Sequence, residues 1–147
     1  MGGLTEKEES VTIVVGYVPT REGRAALQRA FQECVARGVG LVVVNTVRHG
    51  KPFDAEASAS FDEELRSLSR QLDAAGLSHA IRERSTTGDA AEDLIEVADE
   101  LNAEAIVIGL RRRRPVGKLI LGSNAQKILL DASCPVLAVK AGPSADR

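Results

Sequence analysis

Short unbroken apolar runs alternate along this chain with longer stretches whose apolar positions recur every three or four residues. The runs are Val-Thr-Ile-Val-Val at 11–15, Leu-Val-Val-Val at 41–44 continuing through Asn45, Thr46 and Val47, Ala-Ile-Val-Ile at 105–108, and Pro-Val-Leu-Ala-Val at 135–139. They are rich in β-branched residues and lack apolar–polar alternation, which predicts strands buried on both faces, as in a parallel sheet. A more polar fifth segment at 78–84 suits a sheet edge.

The intervening stretches have helical spacing. In residues 20–37, Leu27, Ala30, Phe31, Cys34 and Val35 fall at i, i+3, i+4, i+7 and i+8, with Thr20 placed to cap the start and Gly38 the end. Residues 49–60 read as a polar loop. Ser60-Phe-Asp-Glu63 then forms a capping box, and Phe61, Leu65, Leu68 and Leu72 make a stripe that ends before Gly76. Asp89-Ala-Ala-Glu92 repeats the box ahead of Ala91, Leu94, Ile95, Ala98 and Leu101. A last helix runs from Ser123 to about Ala132.

Strict β-α alternation through five strands predicts an α/β fold: a single doubly wound parallel sheet with helices on both faces. Neither a repeat nor a linker interrupts it. Residues 11–140 form one domain, with residues 1–10 a loose arm and residues 141–147 a frayed tail. Ligands of such sheets bind beyond the carboxyl ends of the strands, where strand order reverses. The loops there are 16–20, 45–60, 85–89 and 109–123.

Composition narrows the ligand. A net charge of −2 gives no global field that would select nucleic acid or membrane, so an anion preference must be local. With aromatics at 3%, base-stacking platforms for single strands are not expected. Cys34 and Cys134 form no C-x-x-C pair and read as small buried hydrophobes. No stretch is long and apolar enough to span a membrane, and the polar, acidic first ten residues do not resemble a secretion signal, so a cytoplasmic location is expected.

The chemistry gathers in Gly109-Leu-Arg-Arg-Arg-Arg-Pro-Val-Gly117-Lys-Leu-Ile-Leu-Gly122-Ser123-Asn124. This basic, glycine-punctuated loop leads from a buried strand to a helix start, where unpaired amides and the positive end of the helix dipole favour an anion. Ser123 could equally cap its own helix, with Gln126 completing the box. Arg111, Arg112, Arg113 and Arg114 could bind phosphate, face solvent, or meet acidic groups on a partner. Neither a Walker loop nor a G-x-G-x-x-G fingerprint is present. His49 and His79 stand apart from other ligand-type residues, so no metal site is expected, and no catalytic triad can be assembled.

From residue 12 to residue 140 the chain resembles the universal stress protein family. The likeness rests on Ile13-Val-Val-Gly-Tyr17, Glu22-Gly-Arg-Ala-Ala-Leu27, Leu41-Val-Val-Val-Asn-Thr46, Thr87-Gly-Asp-Ala-Ala-Glu92, Ala105-Ile-Val-Ile-Gly109, Gly122-Ser123 and Cys134-Pro-Val-Leu-Ala-Val139. The resemblance implies a Rossmann-like five-stranded parallel sheet of order 3-2-1-4-5. It also implies a homodimer joined through the last strands and a cytoplasmic role in stress response. Members that bind ATP or another adenine nucleotide do so through G-x2-G-x9-G-[ST]. Gly109 matches the first glycine and Gly122-Ser123 the last pair, while Arg112 occupies the second glycine position. By that match the base would contact Gly16, Tyr17, Val18, Thr46 and Ile108. The phosphates would contact Gly109, Arg112, Gly122, Ser123 and Asn124, with Mg²⁺ as a possible companion.

Where ATP-binding members carry an acid after the first strand, this chain has Val18-Pro19-Thr20. A hydrogen bond to a charged acceptor is worth about 1.5–3 kcal/mol, so its loss could weaken binding by about one to two decades. The resulting expectation is a dimeric regulator that binds ATP or AMP without efficient turnover. The alternative is an interaction module that uses Arg111–Arg114 for an acidic partner. Slow hydrolysis ranks below both, because the sequence offers no group to position Mg²⁺ or water.

Overall fold

The computed structural model describes residues 11–18, 20–48, 55–86, 89–110 and 121–141, with the side chains of residues 46–48, 55–58, 61 and 84–86 outside that description. The elements follow one another as β1 (Thr12–Tyr17), α1 (Arg21–Arg37), β2 (Gly40–Arg48), α2 (Ala55–Ala74), β3 (His79–Thr86), α3 (Ala90–Leu101), β4 (Ala105–Leu110), α4 (Ser123–Asp131) and β5 (Val136–Lys140). All four strand pairings are parallel, and the sheet order is β3-β2-β1-β4-β5. This is the expected doubly wound α/β fold, with the polar β3 at one edge and β5 at the other.

The strands are continuous apolar runs because both sheet faces are covered. Ile13, Val15 and Tyr17 of β1 pack into one layer with Leu27 and Cys34 of α1 and Leu65, Leu68 and Leu72 of α2. Val14 points the other way, into a layer with Val42, Val44, Ile106, Leu94, Val97 and Ile128. Each such aliphatic side chain contributes about 1.5–3 kcal/mol on burial, so β1 is anchored from both sides.

Local signals set most helix ends. The Thr20 hydroxyl accepts the Gly23 amide at 3.1 Å, and the Asp89 carboxylate accepts the Ala91 amide at 2.9 Å. Gly38 closes α1 at φ 71, a left-handed conformation that glycine adopts without a Cβ penalty.

Four expectations are corrected. Helix α2 begins at Ala55, so Ser60 and Glu63 lie inside it rather than capping it. The run Ala-Glu-Ala-Ser-Ala at 55–59 has enough intrinsic helix propensity to outweigh a local cap signal. Val35 is half-exposed, and Ala26 takes its place on the buried face of α1. Val97, which the spacing missed, is fully buried in α3. Strand β4 runs past Gly109 to Leu110 because β5 continues to pair with it through Leu110 and Lys140. Phe61, as a side chain, and the expected arm at 1–10, His49 and the tail from 142 onward lie outside the described residues.

Both cysteines are free thiols; Cys34 is buried and Cys134 half-buried. The Cys34 thiol donates to the Gly40 carbonyl at 3.3 Å, and burial pushes its pKa up to about 12.

Candidate functional site

After β1 the chain crosses toward β2, and after β4 it crosses toward β5 on the other side. The two loops part above neighbouring strand ends, which opens a crevice at the reversal of strand order. The cleft there has a volume of about 480 Å³. Gly16, Val44, Ile108 and Gly109 from three strands form its floor; Ala90, Ala91 and Leu94 of α3 stand on one side, and Leu121 to Ala125 with Ile128 lead along α4.

Glycines let these elements close up. A Cβ on Gly16 would lie 2.8 Å from a Leu94 methyl. One on Gly109 would strike the carbonyl of Glu22 in the first turn of α1, and one on Gly23 would strike the carbonyl of Val18. The start of α1 therefore sits backbone to backbone against the end of β4 and the loop after β1. The Val18 carbonyl also accepts the Thr20 amide at 2.8 Å, which leaves the Val18 side chain on the rim, 48% exposed.

Helix α4 starts differently from α1 and α3. Its cap is Gly122, at φ −72 and ψ 167, with no side-chain hydrogen bond, and Ser123 is already the first helical residue. This corrects the capping role read for Ser123 and Gln126: the Gln126 amide bonds the Gly122 carbonyl at 3.0 Å instead. A residue caps only if its own backbone stays extended, and here that residue is Gly122. The first-turn amides of Ser123, Asn124 and Ala125 have no partner within the helix, and these three residues border the cleft. No acid lies in that first turn.

Behind it, Lys127 of α4 ties the two helices together. Its ammonium lies 3.3 Å from Asp89 Oδ2 and 3.1 Å from Glu92 Oε2. Desolvation pulls the Asp89 pKa up, but the Lys127 hydrogen bond and the amides of Ala91 and Glu92 together hold it below its ordinary value. Hydrogen bonds to Glu92 and Asp89 raise the Lys127 pKa.

Of the residues assigned from the sequence, Gly16, Tyr17, Val18, Ile108, Gly109, Gly122, Ser123 and Asn124 all border this cleft. Tyr17 is 3% exposed, and its ring belongs to the layer under α1 and α2, so its main chain is what it lends the cleft. Burial raises the Tyr17 pKa, and a hydrogen bond from Arg24 opposes that. Thr46 is paired in register with Arg84 on β3, with its side chain outside the described residues. Arg112, the other arginines of 111–114 and Lys118 also lie outside them.

Sequence reading missed Glu22, Gly23, Val44, Leu94, Leu121 and Ile128 as cleft residues. Leu94 and Ile128 carry only a helical stripe, which reads the same whether a side chain meets the core or a cavity wall. Gly23, a glycine inside the first turn of a helix, was a usable signal of close backbone approach. His79 is not isolated: its Nε2 lies 2.9 Å from Asp73 Oδ1, because the end of α2 folds back against the start of β3. Among the described residues, no three His, Cys, Asp or Glu side chains gather into a metal-binding group, and no helix is long and apolar enough to cross a membrane.

Comparison with known proteins agrees with this architecture. Residues 11–140 match the model of the universal stress protein family. A universal stress protein of Mycolicibacterium smegmatis is 41% identical over 128 residues, covering 87% of this chain and 96% of its own. Among solved structures, the Archaeoglobus fulgidus universal stress protein in complex with dAMP superposes with a TM-score of 0.63 at 27% identity, covering 88% of this chain and 98% of that one. A universal stress protein in complex with cAMP gives a TM-score of 0.61 at 26% identity, covering 90% and 98%. The family match over nearly the whole chain, the close relative and the shared sheet order lead to one conclusion: this chain belongs to the universal stress protein family.

Proposed function

We propose that the protein binds an adenine nucleotide, ATP or AMP, in the cleft at the strand-order reversal. We further propose that it acts as a cytoplasmic, homodimeric regulator of the stress response without efficient turnover. The observation that carries the binding reading is the start of α4. Among the described residues nothing lies within 4 Å of where a Cβ on Gly122 would stand, and its backbone is one any residue could adopt, so no described neighbour requires glycine there. Close approach of a ligand does. The same start offers first-turn amides with no side chain capping them, which suits a phosphate.

The rest of the cleft fits the remainder of such a ligand. Its size falls within the range of about 300–1,000 Å³ usual for small-molecule sites. Val44, Leu94 and Ile108 give an apolar flank for a base. The neighbours solved with dAMP and cAMP support the ligand class. When Mg²⁺ accompanies the nucleotide it neutralises phosphate charge. Glu22 is the carboxylate among the described lining residues, and a single carboxylate falls short of the positioned metal and oriented water that phosphoryl transfer needs.

The dimer reading rests on β5. It is an edge strand whose residues Val136 to Val139 are half-buried and uncharged, so these four offer little to blunt its pairing with a second β5. Sedimentation should give a dimer at micromolar concentration, and a monomer would contradict this part.

Binding is tested by thermal shift with ATP, AMP, cyclic AMP and dAMP at millimolar levels. A nucleotide present at a hundred times its Kd adds about 2.7 kcal/mol to apparent stability. No shift with any of the four would sink the nucleotide reading.

A further inference from the structure

The two helix starts beside the cleft differ in charge. Helix α3 opens with Asp89 as its cap and with Glu92 and Asp93 in its first turn, and the next residues after Asp89, Ala90 and Ala91, line the cleft. Helix α4 has no acid in its first turn. An anion seated on the α4 amides therefore lies beside an acidic helix start, and Coulomb repulsion from that side grows with the charge of the ligand.

Lys127 stands between them. It is one helical turn beyond Ser123, about 6 Å along the axis, and its ammonium bridges Asp89 and Glu92 at 3.3 and 3.1 Å. Only a third of its side chain is exposed, so solvent and salt screen this cation less than one on an open surface. Both of its bonds go to carboxylates of the opposing helix start. Its geometry thus offsets acid next to the anion seat, in addition to holding α3 and α4 together.

We propose that Lys127 is the positioning residue that sets how steeply affinity depends on phosphate count: by pairing with Asp89 and Glu92 it keeps their charge from opposing an anion at Gly122–Asn124. This rests on the nucleotide reading of the cleft. Without the lysine, adenosine keeps its contacts, a monophosphate meets added repulsion, and a triphosphate meets the most.

The test is a calorimetric ladder of adenosine, AMP and ATP without divalent cation, so that ligand charge is unmasked. Lys127→Met should weaken ATP about tenfold and AMP about threefold and leave adenosine within about twofold. Lys127→Arg should restore ATP binding, since it keeps the charge. Glu92→Gln, at a carboxylate with 65% side-chain exposure that is not the cap, should act in the opposite direction and tighten ATP about two- to threefold.

Equal loss for adenosine and ATP in Lys127→Met would reduce the lysine to a structural clamp and overturn the proposal. So would an unchanged ladder. Should Lys127→Met fail to fold, the Glu92→Gln ratio decides, and a flat ratio there overturns it. A wild-type protein that binds none of the three overturns the nucleotide reading itself, a result distinct from a wild type that binds with a ladder indifferent to Lys127.

Discussion

Gly109 and Gly122 border the same cleft, and the fold makes opposite demands on them. At Gly109 an added Cβ would meet the Glu22 backbone, with the carbonyl carbon only 2.6 Å away, and backbone cannot swing aside as a side chain can. At Gly122 an added Cβ would meet nothing within 4 Å. One glycine is needed to bring α1 against β4. The other meets no such demand from the described residues, and on the proposed function it serves the ligand. Two positions of one sequence motif thus separate into one held by backbone packing and one assigned to the ligand by the proposed function.

The strongest way to break this contrast is Gly109→Ala. Overpacking against rigid backbone should cost about 3 kcal/mol in urea unfolding, and a loss below about 1 kcal/mol would mean that the α1 contact yields. Gly122→Ala should do the reverse. Its unfolding free energy should fall by no more than about 1 kcal/mol, the preference of an N-cap for glycine over alanine being partly offset by a stiffer unfolded chain, while AMP affinity measured by calorimetry falls about tenfold, or 1.4 kcal/mol.

The helix starts allow a finer version. Asp89→Ala removes a working cap and should cost about 1 kcal/mol. Ser123→Ala removes no cap and should stay within about 0.5 kcal/mol while weakening nucleotide binding. Equal stability losses would show that Ser123 caps after all.

Acid gives the smallest effect. The Asp89 pKa is lower in the folded chain than its ordinary 3.8, so its contribution is present above that value and is lost as pH falls through the folded pKa. Thermal melts below pH 4 should show this loss, reduced in Asp89→Asn, which keeps a capping oxygen without the titrating charge.

Much of the fold was legible because local and global demands agreed. Apolar runs without alternation required a sheet covered on both faces, and Thr20, Gly38 and Asp89 cap where their side chains and backbones predict. The failures have two causes. The start of α2 at Ala55 follows the helix propensity of residues 55–59, which outweighed the cap signal at Ser60, whereas the exposure of Val35 and the passing of the cap from Ser123 to Gly122 depend on backbone angles or packing partners set by distant residues. The site was legible as a loop and a helix start, from glycine, hydroxyl and charge. Its walls were not. Leu94 and Ile128 gave the helical stripe of any core residue, and only the crossovers of the folded sheet reveal that they stop at a cavity.

The sheet order has a consequence for synthesis. Ile13 pairs with Leu41 on one side and with Ala105 on the other. A nascent chain can complete β3-β2-β1 early, but β1 keeps one flank open until β4 leaves the ribosome, and the cleft has no anion-facing helix start until α4 follows. A small molecule that recognises the finished cleft therefore has nothing to hold until α4 has been made. It can tip the balance toward the native state only after the chain has been made through α4.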